Sequence, residues 1–180
     1  MTDHSMRYDG HSDLRKAALK RLRDAQELLQ APTLDPQSSD ALRRHLCGAY
    51  YLAGYAVECI LKVYIIFLLD FRNRQSPSKT RIEHWSAAVD HLGRLPDRLD
   101  LWGANSHNLG RLLRAAQLDA QLDRDERAKQ RWGRCAKWDF AVRYQRDDLP
   151  NHLRTRAEVE EFVSACKAIY EWVERQLRAT

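Results

Sequence analysis

Apolar residues recur at helical spacing along most of this chain, and no segment shows a convincing strand-like alternation. Leu14, Ala18, Leu22, Ala25 and Leu29 share one face, which predicts a first helix with Ser12 as its cap and Asp13 in its first turn. Residues 1–11 read as a loose tail, and Pro32 and Pro36 bracket the break after the helix. A long second helix is predicted from Ser39–Asp40 to the neighbourhood of Asp70. Its main stripe is Leu42, Leu46, Ala49, Ala53, Ala56, Ile60, Tyr64 and Phe67. Tyr51, Leu52, Tyr55, Leu61, Ile65 and Leu68 make the other side apolar too. A helix apolar nearly all round is either a central core helix or a membrane span. Glu58 and Lys62 decide between the two. Each charge costs about 2.5–3.5 kcal/mol at a bilayer centre, whereas at i,i+4 the two can pair inside a bundle. Gly48 and Gly54 lack side chains and would let a neighbouring helix approach closely.

The stretch 72–105 is the least regular. RNRQSPSK reads as a loop, Glu83–Leu95 as a short helix ended by Pro96, and LWGANS as a turn. Ser106 is then placed to cap a third helix, with Leu109, Leu112, Leu113 and Ala116 inward. Asp123-x-x-Glu126 resembles a capping box that opens a fourth helix to Lys137, and Thr155-x-x-Glu158 is a second one. The latter opens a last helix to Arg178, with Val159, Phe162, Val163, Cys166, Ile169, Val173 and Leu177 as its core stripe. Between them, Trp138–Leu153 leaves helical periodicity. The expected fold is all-α: one domain over residues 12–178, an up-and-down bundle of four to five helices with an insertion around 72–105.

Composition agrees. The 180 residues suffice for one core without staples. A mean hydropathy of −0.64 with 31% charged residues speaks against a membrane protein, and residues 1–13 lack the apolar run of a signal peptide. Cys47, Cys59, Cys135 and Cys166 are scattered and read as buried thiols in a reducing compartment. A soluble, cytoplasmic protein is therefore expected. The histidines show no metal-ligand spacing, and no phosphate-binding glycine loop or nucleophile elbow is present. Neither a metal nor a cofactor is expected.

Charge adds a functional direction. Residues 127–156 hold nine basic residues against three acids, a net of +6, which leaves −1 for the remainder of a chain whose total is +5. Arg143, Arg146, His152, Arg154 and Arg156 crowd the approach to the last helix. A helix N-terminus favours anions, and guanidinium forks bind phosphate bidentately. A nearby histidine can serve as general base for a ribose hydroxyl. The same arginines can equally pair with Asp139, Asp147 and Asp148 to fix the loop. His107 can face this site, and Trp138, Tyr144 and Trp132 can stack on a base or simply pack. Glu58 and Lys62 read as a buried structural pair.

Three segments carry a family resemblance. AYYLAGYAVECILK, residues 49–62, is similar to the signature helix of the HEPN family (higher eukaryotes and prokaryotes nucleotide-binding domain), with Ala56, Glu58, Leu61 and Lys62 at the family's small–acid–Leu-Lys positions. His107-Asn108-Leu109-x-x-Leu112-Leu113 resembles the family's His-Asp-Leu-x-x-Leu helix start. Trp138-x4-Arg143-Tyr144 resembles the Trp…Arg-Tyr motif of a bacterial subgroup. The resemblance implies a helical bundle that dimerises and binds RNA or nucleotides. It also implies a metal-independent endoribonuclease activity, with a cognate antitoxin or defence-system protein as partner. Arg146-x5-His152 matches the family's Arg-x4–6-His cleavage motif; there Arg146 would hold the scissile phosphate and His152 would assist the 2′-hydroxyl. Arg143, Tyr144, Arg154, Arg156, Trp138 and His107 would contact the ligand. The alternative is a non-catalytic HEPN module, similar to those that accompany nucleotidyltransferases.

Overall fold

The structure, a computed structural model, describes residues 11–31, 39–73, 107–144, 153 and 155–179. Among these the chain is an all-α bundle of six α-helices and one 3-10 turn, without a strand. The helices are α1 (His11–Gln30), α2 (Ser39–Asn73), α3 (Leu109–Ala115), α4 (Asp119–Arg124), α5 (Glu126–Cys135) and α6 (Arg156–Ala179). The 3-10 turn, Phe140–Tyr144, lies between α5 and α6. The expected helix over 83–95, the turn at 101–106 and residues 1–10 of the expected tail lie outside the described residues, while His11, its last residue, is helical.

The second helix is the axis of the bundle. Packed by α1, α3, the 3-10 turn and α6, it buries an almost unbroken run from Ala56 to Ile66. Its apolar circumference is explained by protein neighbours on most sides: although Ala41–Leu68 is long and apolar enough to cross a membrane, the most apolar part of that stretch is largely buried inside the bundle. The α1 face Leu14–Ala18–Leu22–Ala25 lies against it, as does the α6 stripe Val159–Val163–Cys166–Ile169–Val173. All four cysteines are buried free thiols. Burial pushes Cys166 well above the ordinary thiol value, which leaves it an inert packing group.

Several helix starts differ from the sequence expectation. The first helix begins at His11, so Ser12 lies within it rather than capping it. Asn108, not Ser106, caps α3: its side chain accepts the Arg111 amide at 3.0 Å. The expected fourth helix is α5, which is capped by Asp125 rather than Asp123: Asp125 is extended and its side chain accepts the Ala128 amide at 3.0 Å, while Asp123 lies in the short, unpredicted α4. A better cap two residues beyond Asp123 thus outcompetes the predicted box. The capping box of α6 forms as expected, with Thr155 N–H donating to Glu158 at 2.8 Å and Glu158 N–H to Thr155 Oγ1 at 3.3 Å. Gln117, at φ 56°, closes α3 while Leu118 N–H reaches back to the Leu113 carbonyl.

A polar clamp ties α1 to α6. Arg15 grips Glu174 with two guanidinium nitrogens, Nε at 2.6 Å, and Tyr170 Oη donates to the same carboxylate at 3.1 Å. Burial works to raise the Glu174 carboxyl; the hydrogen bonds and charge of Arg15, aided by Tyr170 and Arg178, more than reverse this and hold it below 4.5. A depressed carboxyl pKa stabilises the fold above the unfolded value and ceases to do so as pH falls through the folded one. Arg15→Met is therefore expected to lower stability by about 1 kcal/mol at neutral pH, the scale of a half-exposed pair. The gap from wild type should close progressively below pH 4.5. Thermal melts across pH check this; a gap of constant size down to acid pH would contradict it.

Candidate functional site

Midway along α2, a buried carboxylate is shared by two bases. Glu58 is 1% exposed; its Oε1 accepts from Lys62 Nζ at 2.6 Å, and its Oε2 lies 2.9 Å from His107 Nδ1. A helix sets Glu58 and Lys62 one turn apart on the same side, which makes the first contact local. The second spans 49 residues and is made by the turn that leads into α3. A carboxylate accepts only, so Nδ1 is the nitrogen that carries the hydrogen, and the lone pair of a neutral ring resides on Nε2. The His107 side chain is one-third exposed and stacks on Phe140, ring centroids 4.5 Å apart. Phe140 is itself one of two exposed large apolar side chains among the described residues.

The backbone carrying Phe140 is fastened to α2 by one hydroxyl. Tyr50 Oη donates to the Lys137 carbonyl at 3.3 Å and accepts the Asp139 amide at 2.8 Å. Burial raises the Tyr50 hydroxyl far above its ordinary pKa, so it stays protonated and can do both. Asp139 then starts the 3-10 turn, its side chain accepting the Ala141 amide at 2.8 Å. Between these anchors Trp138 lies flat over Gly54. A Cβ on Gly54 would fall 2.2 Å from the indole, so no other residue admits the ring at this distance. Tyr51 and Tyr55 stack beside it on α2.

The sequence-predicted residues therefore divide. Glu58, Lys62 and His107 come together, with Trp138 and Phe140 on adjoining ground. Trp138 is a buried packing residue, 7% exposed, and offers no free face for base stacking. Arg156 is exposed and has partners within the chain: it pairs with Glu160 at 2.8 Å and donates to the Leu29 carbonyl at the end of α1. Arg143 and Tyr144 belong to the 3-10 turn. Arg146, His152 and Arg154 lie outside the described residues. The basic run on α5 is less positive in space than in sequence. Arg131, Arg134 and Lys137 share two shallow clefts with Glu158, Glu160 and Glu161 of α6, and Arg134 pairs directly with Glu161. Charge counted along one segment cannot see acids contributed by another.

Sequence reasoning missed Phe140 and the pairing of Glu58 with His107. An acid in the middle of an apolar helix was the available signal, since a buried charge requires partners. Lys62 seemed to satisfy it, but a carboxylate has two oxygens. Compared with family models, with curated proteins and with solved structures, the chain matches none.

Proposed function

We propose that the chain is a HEPN-like, RNA-directed binding protein that acts as a homodimer in a toxin–antitoxin or phage-defence setting. Arg146 and His152 are the cleavage pair in this reading, and no metal takes part. One observation carries it. The three segments that resemble the family are far apart in sequence, yet Glu58 of the first holds His107 of the second. His107 in turn stacks on Phe140, which lies inside the third, and Trp138 of the third packs on Gly54 of the first. Motifs that meet in space serve one site more readily than motifs that scatter. The fold by itself does not fix function.

RNA cleavage in EDTA tests the reading, with wild type beside Arg146→Ala and His152→Ala and with circular dichroism to establish that both variants fold. The expected result is EDTA-resistant cleavage leaving 2′,3′-cyclic phosphate ends, reduced about 10²-fold or more in each variant. A second reading, a non-catalytic binding or regulatory subunit, is favoured by Pro150. It stands inside Arg146-x5-His152, and proline is a residue type that helix interiors disfavour, whereas the family's motif lies largely on a helix. A folded wild type that binds RNA and leaves it intact would decide for this second reading.

A further inference from the structure

We infer that Lys62, Glu58 and His107 form a proton-accepting relay, and that His107 Nε2 is the atom that takes the proton of a ligand hydroxyl. The substrate, a ribose 2′-hydroxyl, rests on the RNA-directed reading above; the relay itself rests on geometry alone.

Four features build it. Glu58 and Lys62 are an ion pair taken out of water, 1% and 5% exposed at the side chain. Burying such a pair is costly, and a core filled with apolar residues in its place is often as stable or more so. Packing alone therefore gives little reason for it. The pair fixes a carboxylate at 2.9 Å from Nδ1, which sets the tautomer and turns the bare Nε2 away from the carboxylate. The neighbouring acids do not compete. Burial raises the Cys59 thiol to about 12 and the Tyr55 hydroxyl still further, so both stay protonated. The ring is one-third exposed and lies against exposed Phe140, so solvent and ligand can reach it. As Nε2 gains a proton, the positive ring faces Glu58, whose charge is already in place and needs no reorganisation.

The reaction balances without a metal. Nε2 takes the 2′-hydroxyl proton as O2′ bonds to the adjacent phosphorus and the bond from phosphorus to O5′ breaks. The departing 5′-oxygen takes a proton from water, and the hydroxide left behind is neutralised by the proton that His107 returns. The products are a 2′,3′-cyclic phosphate and a 5′-hydroxyl. His107 is the catalytic residue in this step, and Glu58 and Lys62 position it. The 2′-hydroxyl proton is thereby assigned to His107, which leaves His152 of the cleavage pair a contact to the scissile phosphate beside Arg146.

The test uses the full chain and a labelled single-stranded RNA in EDTA, with RNA binding measured separately. His107→Asn keeps a side-chain N–H for Glu58 but has no basic nitrogen. It is expected to bind RNA within about twofold of wild type and to cleave about 10²-fold or more slowly. Added imidazole should restore part of the rate to His107→Ala and none to His152→Ala, a response that a structural role would not give. Nitrogen-15 spectra of the imidazole should show the hydrogen on Nδ1 and a bare Nε2. His107→Asn cleaving as fast as wild type would overturn the relay and leave the RNA-directed reading standing, as would a hydrogen found on Nε2 with Nδ1 bare. A wild type that binds RNA without cutting it overturns the catalytic assignment alone. A wild type that neither binds nor cuts RNA removes the RNA-directed reading, and the ribose assignment goes with it.

Discussion

Lys62→Met is expected to destabilise the fold by about 3–5 kcal/mol, the scale found when one partner of a buried ion pair is removed. Typical domains have about 5–15 kcal/mol in total, so this single change takes a large share. The physical reason is the stranded partner. Glu58 is 1% exposed, and water cannot replace the ammonium at 2.6 Å. His107 remains on the other oxygen but must then hold the charge alone. Glu58→Leu combined with Lys62→Met removes both charges and is expected to recover most of the loss, because apolar groups suit the surrounding core. Urea unfolding of the two single variants and the double variant checks this as a cycle. A double variant no more stable than the worse single variant would show that the pair contributes packing rather than compensated charge. The recovered double variant should still lack the oriented His107, which separates the site from the stability of the helix that carries it.

Gly54→Ala is the second large effect. Alanine in place of glycine within a helix normally gains about 0.5–1 kcal/mol. Here the new methyl would lie 2.2–2.3 Å from three atoms of the Trp138 ring. The ring cannot yield as a flexible chain end would, because it is buried and its neighbours on both sides are fixed through Tyr50. Overpacking of this kind costs about 1–3 kcal/mol, and the expected net result is a loss despite the better helix former. Gly133→Ala is the internal control: nothing lies within 4 Å of its Cβ, so the propensity gain should appear undiminished. Thermal melts of the pair should move in opposite directions. Both moving upward would mean that Trp138 finds another seat at little cost.

These two sites also mark how far the sequence could be read. The long second helix was legible because its apolar residues continue around its whole circumference, and Glu58 with Lys62 identified it as internal. The α6 stripe and its capping box were legible for the same local reasons. The start of α5 was not, since Asp123 and Asp125 can both cap a helix and only the chain's path selects one. Gly54 suggested a close neighbour, but a helix was the natural guess, and an indole from 84 positions later in the chain was not. The same holds for His107 on Glu58. Spacing along a helix reveals which side chains share a face, whereas partners brought in by turns are fixed by the whole bundle. Arg156 shows a second kind of partner that its neighbours in sequence do not reveal. Its place beside other arginines suggested a ligand, while its partners are Glu160 one turn ahead and a carbonyl at the end of α1.

The hydroxyl of Tyr50 has a kinetic meaning. The Asp139 amide that it accepts belongs to no helical ladder, so each excursion of the Phe140 segment away from α2 bares that N–H to solvent. Deuterium uptake at this one position would count openings of the site, at a rate set by a single side-chain oxygen and separable from the slower exchange of the surrounding core.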